Sequence, residues 1–421
     1  MNLSDTEVIS GILAKNGFSI TQDLSDADIA ILNTCVVRQK SQDKFHTMLG
    51  ILKKMKKSGA LKLIGIAGCG ANLEGSELLS RGADFVLGSR SISEIHSVVQ
   101  RALKGEKVVF LEDKICSISS ETPRLRSSRF HAWITIIHGC NRFCTYCIVP
   151  YTRGRERSRE MADIIKEVKQ RVEEGANQIT FLGQNVDAYG KDLKDGTSLA
   201  KLIRSTRQFD GLLRVWFLTS YPTDITEELI FEVAENQKAA KSFHIPVQSG
   251  SDRILKLMNR RYTTADFKEL VDKIRSFVPN ASVSSDIIVG FPGETEEDFE
   301  NTVHFIEEMK FERLNLAIYS PRSGTLASRR FVDNVPRNIK IKRINHLLKI
   351  QKQINSETNK SYLGKKVNVI VESKTKKGLY YGRDERNKII VFPSVRDILG
   401  AQISVIIKKV TAGPLYGEIT H

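Results

Sequence analysis

Residues 138–147 read His138-Gly139-Cys140-Asn141-Arg142-Phe143-Cys144-Thr145-Tyr146-Cys147, three cysteines within eight residues of a 421-residue chain that holds six. The spacing is C-x-x-x-C-x-x-C, and it follows the apolar run "WITIIH" that starts at Trp133, which places the cysteines on a loop leaving a strand. Structural zinc takes four protein ligands, usually as two pairs, and downstream of this cluster stand only scattered histidines. A cubane iron–sulfur cluster also usually takes four thiolates. Three thiolates leave one iron open to an outside ligand, and in an enzyme an open position is where chemistry occurs.

Outward from that loop the pattern repeats. The runs "QITFLG", "LRVWFLT", "SFHIPV", "VSSDIIVG" and "RLNLAI" follow at roughly 30–45-residue intervals, the length of a βα unit. Helical patterns such as "MADIIKEVKQRVEEG" and "TEEDFENTVHFIEEM" lie between them. Six units predict a partial (β/α)6 barrel, whose chemistry should collect at the C-terminal ends of its strands. The first ~115 residues also alternate, through "ADIAILNTC", a basic helix over Gln39–Lys57, "LKLIGIAGC", "ADFVLGS" and "KVVFLED", which predicts an N-terminal doubly wound parallel sheet. A basic helix near Pro336–Asn359 leads into short, glycine-punctuated strands, a small all-β barrel or sandwich. The expected fold is therefore α/β throughout its first two segments, with an N-terminal domain at 1–115, a Ser-rich linker at 116–130, a barrel with its connecting helix at 131–361 and the all-β domain at 362–421.

Composition narrows the function classes. A hydrophobic fraction of 41% with 27% charged residues describes an ordinary globular protein. No apolar run approaches the ~18 residues of a transmembrane helix, so a cytoplasmic protein without a membrane partner is expected. Six cysteines, half of them clustered, suit metal or redox use in a reducing compartment rather than a disulfide framework. The formal charge of +15 favours a polyanionic partner, and the last 60 residues hold 11 Lys and Arg against 5 Asp and Glu, which points to nucleic acid.

The cysteine cluster resembles the signature of the radical S-adenosylmethionine (SAM) enzymes, and the six-unit barrel is that family's fold. The resemblance implies that Cys140, Cys144 and Cys147 hold a 4Fe–4S cluster whose open iron binds SAM, with Tyr146 beside the adenine. An electron from the cluster would break a carbon–sulfur bond of SAM and release a radical able to take hydrogen from an unactivated carbon. Strand ends supply the expected SAM contacts: Gln184 and Asn185 in "FLGQNVDAYG", Gln248 and Ser251 in "HIPVQSGS", and Gly290 in "DIIVGFPGET", where a glycine would let backbone approach the cofactor. Over the whole chain the order of segments is similar to the radical SAM methylthiotransferases, which end in an RNA-binding TRAM domain. "NTCVVR" and "GCNRFCTYCIVPYTRGRERSR" look most like the branch that adds a methylthio group to C2 of N6-isopentenyladenosine beside the tRNA anticodon. Sister enzymes acting on threonylcarbamoyl adenosine or on a ribosomal-protein aspartate are the alternatives within the family. A non-catalytic, metal-stabilised RNA-binding protein is the alternative outside it.

The family also carries a second 4Fe–4S cluster on three N-terminal cysteines. Cys35 in "NTCVVR" and Cys69 in "IAGCGA" match two of them, and each directly follows a strand. The third belongs to a "GCQMN" motif after a first strand, whereas this chain begins "MNLSDTE". The expectation is that the true start lies upstream, and that without the missing strand its neighbours have unpaired backbone groups. Cys116 matches nothing in the family pattern and is read as a bystander. For RNA, "TRGRERSR" offers Arg153, Arg155 and Arg157, with pairing of these arginines to Glu156 and Glu160 as the competing view. "GLYYGRDERNKIIVF" offers Tyr381, Arg383 and Lys388. The expected partners are a tRNA anticodon stem-loop and a reducing electron-donor protein, with the enzyme acting as a monomer.

Overall fold

The computed structural model describes residues 1–35, 39–112 and 118–420. The chain divides into two compact units, one made of Met1–Arg129, Trp133–Phe143 and Cys147–Glu167, the other of Phe130–Ala132, Cys144–Tyr146 and Val168–His421.

In the first unit, β1 (Ile29–Thr34), β2 (Leu63–Gly68), β3 (Phe85–Gly88) and β4 (Val108–Phe110) form a parallel sheet in the order β1-β2-β3-β4. Alternate residues feed opposite cores, as strands buried on both faces must. Phe85 and Leu87 pack with Val8, Ile9, Ile12 and Leu13 of α1 (Asn2–Lys15), while Ile64, Ile66 and Val86 pack with Phe45, Leu49 and Leu52 of α2 (Gln39–Lys57). The sheet is doubly wound. The expectation of strands left unpaired is corrected: β1 lies directly on β2 over six residues, from Ile29 opposite Leu63 to Thr34 opposite Gly68.

The segment read as a linker, described from residue 118 to 130, is a packed strap over 118–129. Leu125 donates its N–H to the Glu7 carbonyl (2.8 Å), and Ser127 gives its N–H and Oγ to the buried Glu7 carboxylate (2.9 and 2.6 Å). Arg124 pairs with Glu167 at 2.9 Å, both side chains almost fully buried. Gly11 is a glycine inside a helix because the strap crosses it: a Cβ there would stand 2.5 Å from the Arg124 backbone. Serine and proline mark non-repetitive chain, and composition does not say whether such chain packs. Cys116 lies outside the described residues.

In the second unit the parallel strands Gln178–Leu182, Arg214–Phe217, Ser242–His244, Ser282–Val289 and Arg313–Ile318 occur where the sequence placed them. The first pair and the last three are joined by a bridge between Val215 and Ala239, and the Phe130 carbonyl, at the head of the strand His131–Thr135, accepts the N–H groups of Asn177 and Gln178. The C-terminal segment is a closed five-stranded barrel around Val369, Val371, Tyr380, Ile390, Phe392, Val405, Ile407 and Leu415, antiparallel except for the pairing of Ile389–Phe392 with Leu415–Ile419. It meets residues that precede strands: Asn177 donates to the Gly400 carbonyl, Lys241 to the Glu385 carbonyl, and Glu312 pairs with Arg386. The small barrel therefore docks at the N-terminal ends of the parallel strands.

Candidate active site

The cysteine loop is shaped by backbone constraints at both ends. Gly139 has φ +76°, and a Cβ there would lie 2.0 Å from the Arg155 carbonyl oxygen, so only glycine serves. The next residue, Cys140, donates its N–H to the Gly154 carbonyl at 3.1 Å. Thr145 is held from two sides: its N–H and Oγ1 donate to the carbonyls of Met258 and Leu257 (both 3.0 Å), and its carbonyl accepts from Ala327 (2.7 Å). Tyr146 packs among Ile254, Met258, Phe291, Tyr319 and Ala327. Cys140 and Cys147 are half-buried and Cys144 is buried; none is in a disulfide.

Sequence reasoning missed the group that addresses Cys144. Arg260, 116 residues away and 8% exposed, donates from Nη1 to the Cys144 sulfur at 3.4 Å. Its Nε donates to the Tyr262 hydroxyl (2.6 Å), its Nη2 to the Pro246 carbonyl, and its plane lies over the rings of Tyr221 (4.4 Å) and Tyr262 (5.0 Å). Among the described residues no carboxylate forms an ion pair with it. A buried guanidinium without a counter-ion is costly, and the Cys144 sulfur is one of the atoms that satisfy its N–H groups. No three His, Cys, Asp or Glu side chains among the described residues converge into a metal-holding set. The donor set nevertheless fits a cluster: three thiols outside any disulfide on one short loop, one of them held against a fixed cation.

The expected SAM neighbours fall into three kinds. Asn185 is buried and donates Nδ2 to Asp224 Oδ2 (2.6 Å), while its Oδ1 has no partner, an acceptor suited to an ammonium or other donor. Gln184, half-buried, lies beside it just beyond the strand end. Gln248 is buried with φ +78°, a strained backbone for a non-glycine residue at a strand end. Ser251 is committed elsewhere: it caps the helix Asp252–Leu257 and donates its hydroxyl to Asp298 at 2.6 Å. Gly290 has a structural reason of its own to be glycine, its φ of +70° and the Lys340 side chain 2.3 Å from where a Cβ would be. A further residue went unread, Asp187 in the same "GQNVDAYG" stretch. It is buried, its Oδ2 accepts the Tyr221 N–H (3.0 Å), and burial with neighbouring Asp224 pushes its pKa up to about 7.

Cys35 follows β1 and buried Cys69 opens a short helix after β2, so both leave neighbouring strand ends. Thr34 ties those ends together, donating Oγ1 to the Ala67 carbonyl (2.8 Å) and accepting the Gly70 N–H (2.9 Å). The expectation that Arg153 meets RNA is corrected here. It is 5% exposed, donates from Nε to Cys69 (3.2 Å) and pairs through Nη2 with Asp5 (2.7 Å). Arg155 and Arg157 are exposed, with Arg155 over the Phe143 ring at 5.2 Å. Arg159 is buried between Asp163 and Glu167, not with Glu156 or Glu160. In the C-terminal barrel Tyr381 is half-buried, Arg383 stands 3.6 Å from Glu372, and half-buried Lys388 has its pKa lowered by desolvation.

Comparison with known proteins bears on both regions. Residues 134–306 match the Radical SAM superfamily, residues 360–420 the TRAM domain and residues 1–88 the Uncharacterized protein family UPF0004. The parallel barrel with its cysteine trio thus defines a radical SAM protein that ends in a TRAM domain. Relatives named tRNA-2-methylthio-N(6)-dimethylallyladenosine synthase come from Pseudothermotoga lettingae (63% identity over 419 residues, 100% of this chain and 96% of the relative) and Thermosipho melanesiensis (56%, with the same coverage). The chain belongs to the tRNA-2-methylthio-N(6)-dimethylallyladenosine synthase family. The solved structure of the radical S-adenosylmethionine methyltransferase TsrM from Kitasatospora setae, with cobalamin and a 4Fe–4S cluster bound, is similar at TM-score 0.55 and 13% identity, over 77% of this chain and 73% of that one. The cobalamin-dependent radical enzyme OxsB is similar at TM-score 0.54 and 13% identity, over 82% of this chain and 53% of that one. Both establish likeness of fold alone.

Proposed function

We propose that this protein adds a methylthio group to C2 of N6-isopentenyladenosine next to the anticodon of tRNA. The observation that carries this reading is the 63% identity, over the full length of the chain, to a relative named for that synthesis. In this reading Cys140, Cys144 and Cys147 hold a 4Fe–4S cluster with SAM at its open iron. Cys35 and Cys69 contribute to a second 4Fe–4S cluster, and no third ligand for it stands among the described residues. The substrate is the tRNA anticodon stem-loop, the electron comes from a reducing donor protein, and the enzyme works as a cytoplasmic monomer. No helix among the described residues is long and apolar enough to cross a membrane.

When bound, the cluster supplies the electron that cleaves SAM to a hydrogen-abstracting radical. The chain's own residues hold and shield that chemistry. Arg260 donates to the Cys144 sulfur and fixes its direction. Tyr146 and the apolar side chains around it exclude water from one side of the loop. Asn185 presents an unpaired buried oxygen to the amino group of SAM, and Asp187 stands ready to hold or release a proton near neutrality. In this reading exposed Arg155 and Arg157 meet RNA phosphates, and Tyr381, Arg383 and Lys388 on the C-terminal barrel meet unstacked RNA bases.

Mass spectrometry of tRNA nucleosides from a deletion strain tests the reading. Accumulation of isopentenyladenosine without its methylthio group is expected, and undiminished methylthiolation overturns it. Loss of a methylthiolated threonylcarbamoyl adenosine instead assigns the protein to the sister activity.

A further inference from the structure

The helix Arg337–Lys360 carries seven basic residues and one acidic one, and the two classes of basic residue on it behave differently. Lys340 and Arg343 face inward and are consumed by the barrel: Lys340 reaches Asp333 (2.5 Å) and the Tyr319 carbonyl (3.3 Å), and Arg343 pairs with Glu294 (2.7 Å) and Glu296 (2.8 Å). Lys342, Lys349, Lys352 and Lys360 are all exposed, as is Arg337 at the helix start. Among the described residues none of the four lysines forms an ion pair. At 3.6 residues per turn they fall within about 80° of arc, a single stripe opposite the buried face of Arg343, Leu347, Gln351 and Ile354. Glu357, the only acidic residue on the helix, accepts a hydrogen bond from Gln353.

The helix also has a direction in the fold. Its first turns bind Tyr319 and Glu294, which follow the C-terminal ends of two parallel strands. Further along, Gln351 donates to the Phe311 carbonyl (2.9 Å) at the opposite end of the barrel, and Asn359 donates to the Thr411 carbonyl (2.7 Å) of the C-terminal barrel. From Lys342 to Lys360 the stripe is about 27 Å long at 1.5 Å per residue. It joins the end of the parallel barrel where chemistry collects to the small barrel docked at the other end.

We propose that Lys342, Lys349, Lys352 and Lys360 form a rail for RNA phosphates between the C-terminal barrel and the C-terminal strand ends of the parallel barrel. The inference rests on the RNA substrate proposed above and adds how that RNA spans the two ends. Lysine in a line suits a line of phosphates, because each ammonium is a freely rotating point charge that needs no fixed partner geometry. Protein interfaces, by contrast, are depleted in lysine and favour arginine and aromatic side chains, which this stripe lacks. Continuity with a barrel that itself carries an excess of positive charge points the same way.

The test uses the full-length, anaerobically reconstituted protein with the combined substitutions Lys342→Gln, Lys349→Gln, Lys352→Gln and Lys360→Gln, all at exposed positions where glutamine is a good helix former. Affinity for unmodified tRNA is measured over a series of salt concentrations. The expected result is a slope of log K against log salt shallower by about 2 to 4, with affinity at low salt lower by about 10- to 100-fold. Iron content and SAM cleavage without tRNA stay at the parent level, which separates loss of the rail from loss of the catalytic site. An unchanged slope overturns the proposal. So does an equal loss in a control carrying Lys15→Gln, Lys54→Gln, Lys57→Gln and Lys104→Gln. Unchanged tRNA binding with slower reduction by the electron donor overturns it in favour of an acidic protein partner. Parent protein without salt-sensitive tRNA binding removes the functional reading itself.

Discussion

The two cysteine regions use the same device with opposite electrostatic balance. At Cys69 the donor is Arg153, and its charge is matched by the buried carboxylate of Asp5 at 2.7 Å. At Cys144 the donor is Arg260, held by two tyrosine rings, a hydroxyl and a carbonyl, with no carboxylate in an ion pair among the described residues. The barrel region also contains the reverse case: Asp187, a buried carboxyl without a guanidinium, which stays protonated to near neutrality. The N-terminal charges are neutralised within the protein, whereas those at the strand ends are left for something to be bound. Buried unmatched charge is costly, so it is retained where a ligand completes it.

Each half of that contrast can be broken separately. The largest effect is on metal content. Cys144→Ser and Cys69→Ser should each cut iron from about eight to about four per chain in anaerobically reconstituted protein, read by iron and sulfide analysis. If Cys69→Ser leaves iron unchanged, the N-terminal pair is not a cluster site.

The next effect is on stability without metal. Arg153→Met strands the carboxylate of Asp5 and should cost about 3–5 kcal/mol in denaturant unfolding of the apoprotein, most of it regained with Asp5→Asn. Arg260→Met strands no carboxylate, and the Tyr262 hydroxyl keeps its bond to the Val247 carbonyl at 2.9 Å, so its cost should be clearly smaller. Equal costs would erase the distinction drawn between the two arginines.

A pH scan sharpens it further. The Asp187 pKa is raised in the folded state from 3.8 to about 7, so its contribution is fully present below about 4 and is lost as pH rises to 7. At 1.36 kcal/mol per unit the loss is up to about 4 kcal/mol, and Asp187→Asn should flatten the stability profile of the apoprotein across that window. Asp187→Asn with an unaltered profile rejects the raised value. The smallest effect is a shift, not a loss: Arg260→Met should retain iron yet move the midpoint potential of the barrel cluster downward in an EPR-monitored titration, because a cation near a thiolate favours the reduced, more negative state.

Spacing and periodicity alone located the cysteine trio, the strands that carry it, the doubly wound sheet and the all-β end, since these follow from ligand count and side-chain alternation along short stretches of chain. They could not locate Arg260 or Asp5, because neither has a local pattern; each acts through a contact made more than 100 residues away. For the same reason Arg153 read as a surface cation beside three others like it, and only folding separated the two that are buried from the two that are exposed. Local order is written in neighbours along the chain, but which charges are neutralised and which are left open depends on what the fold brings beside them.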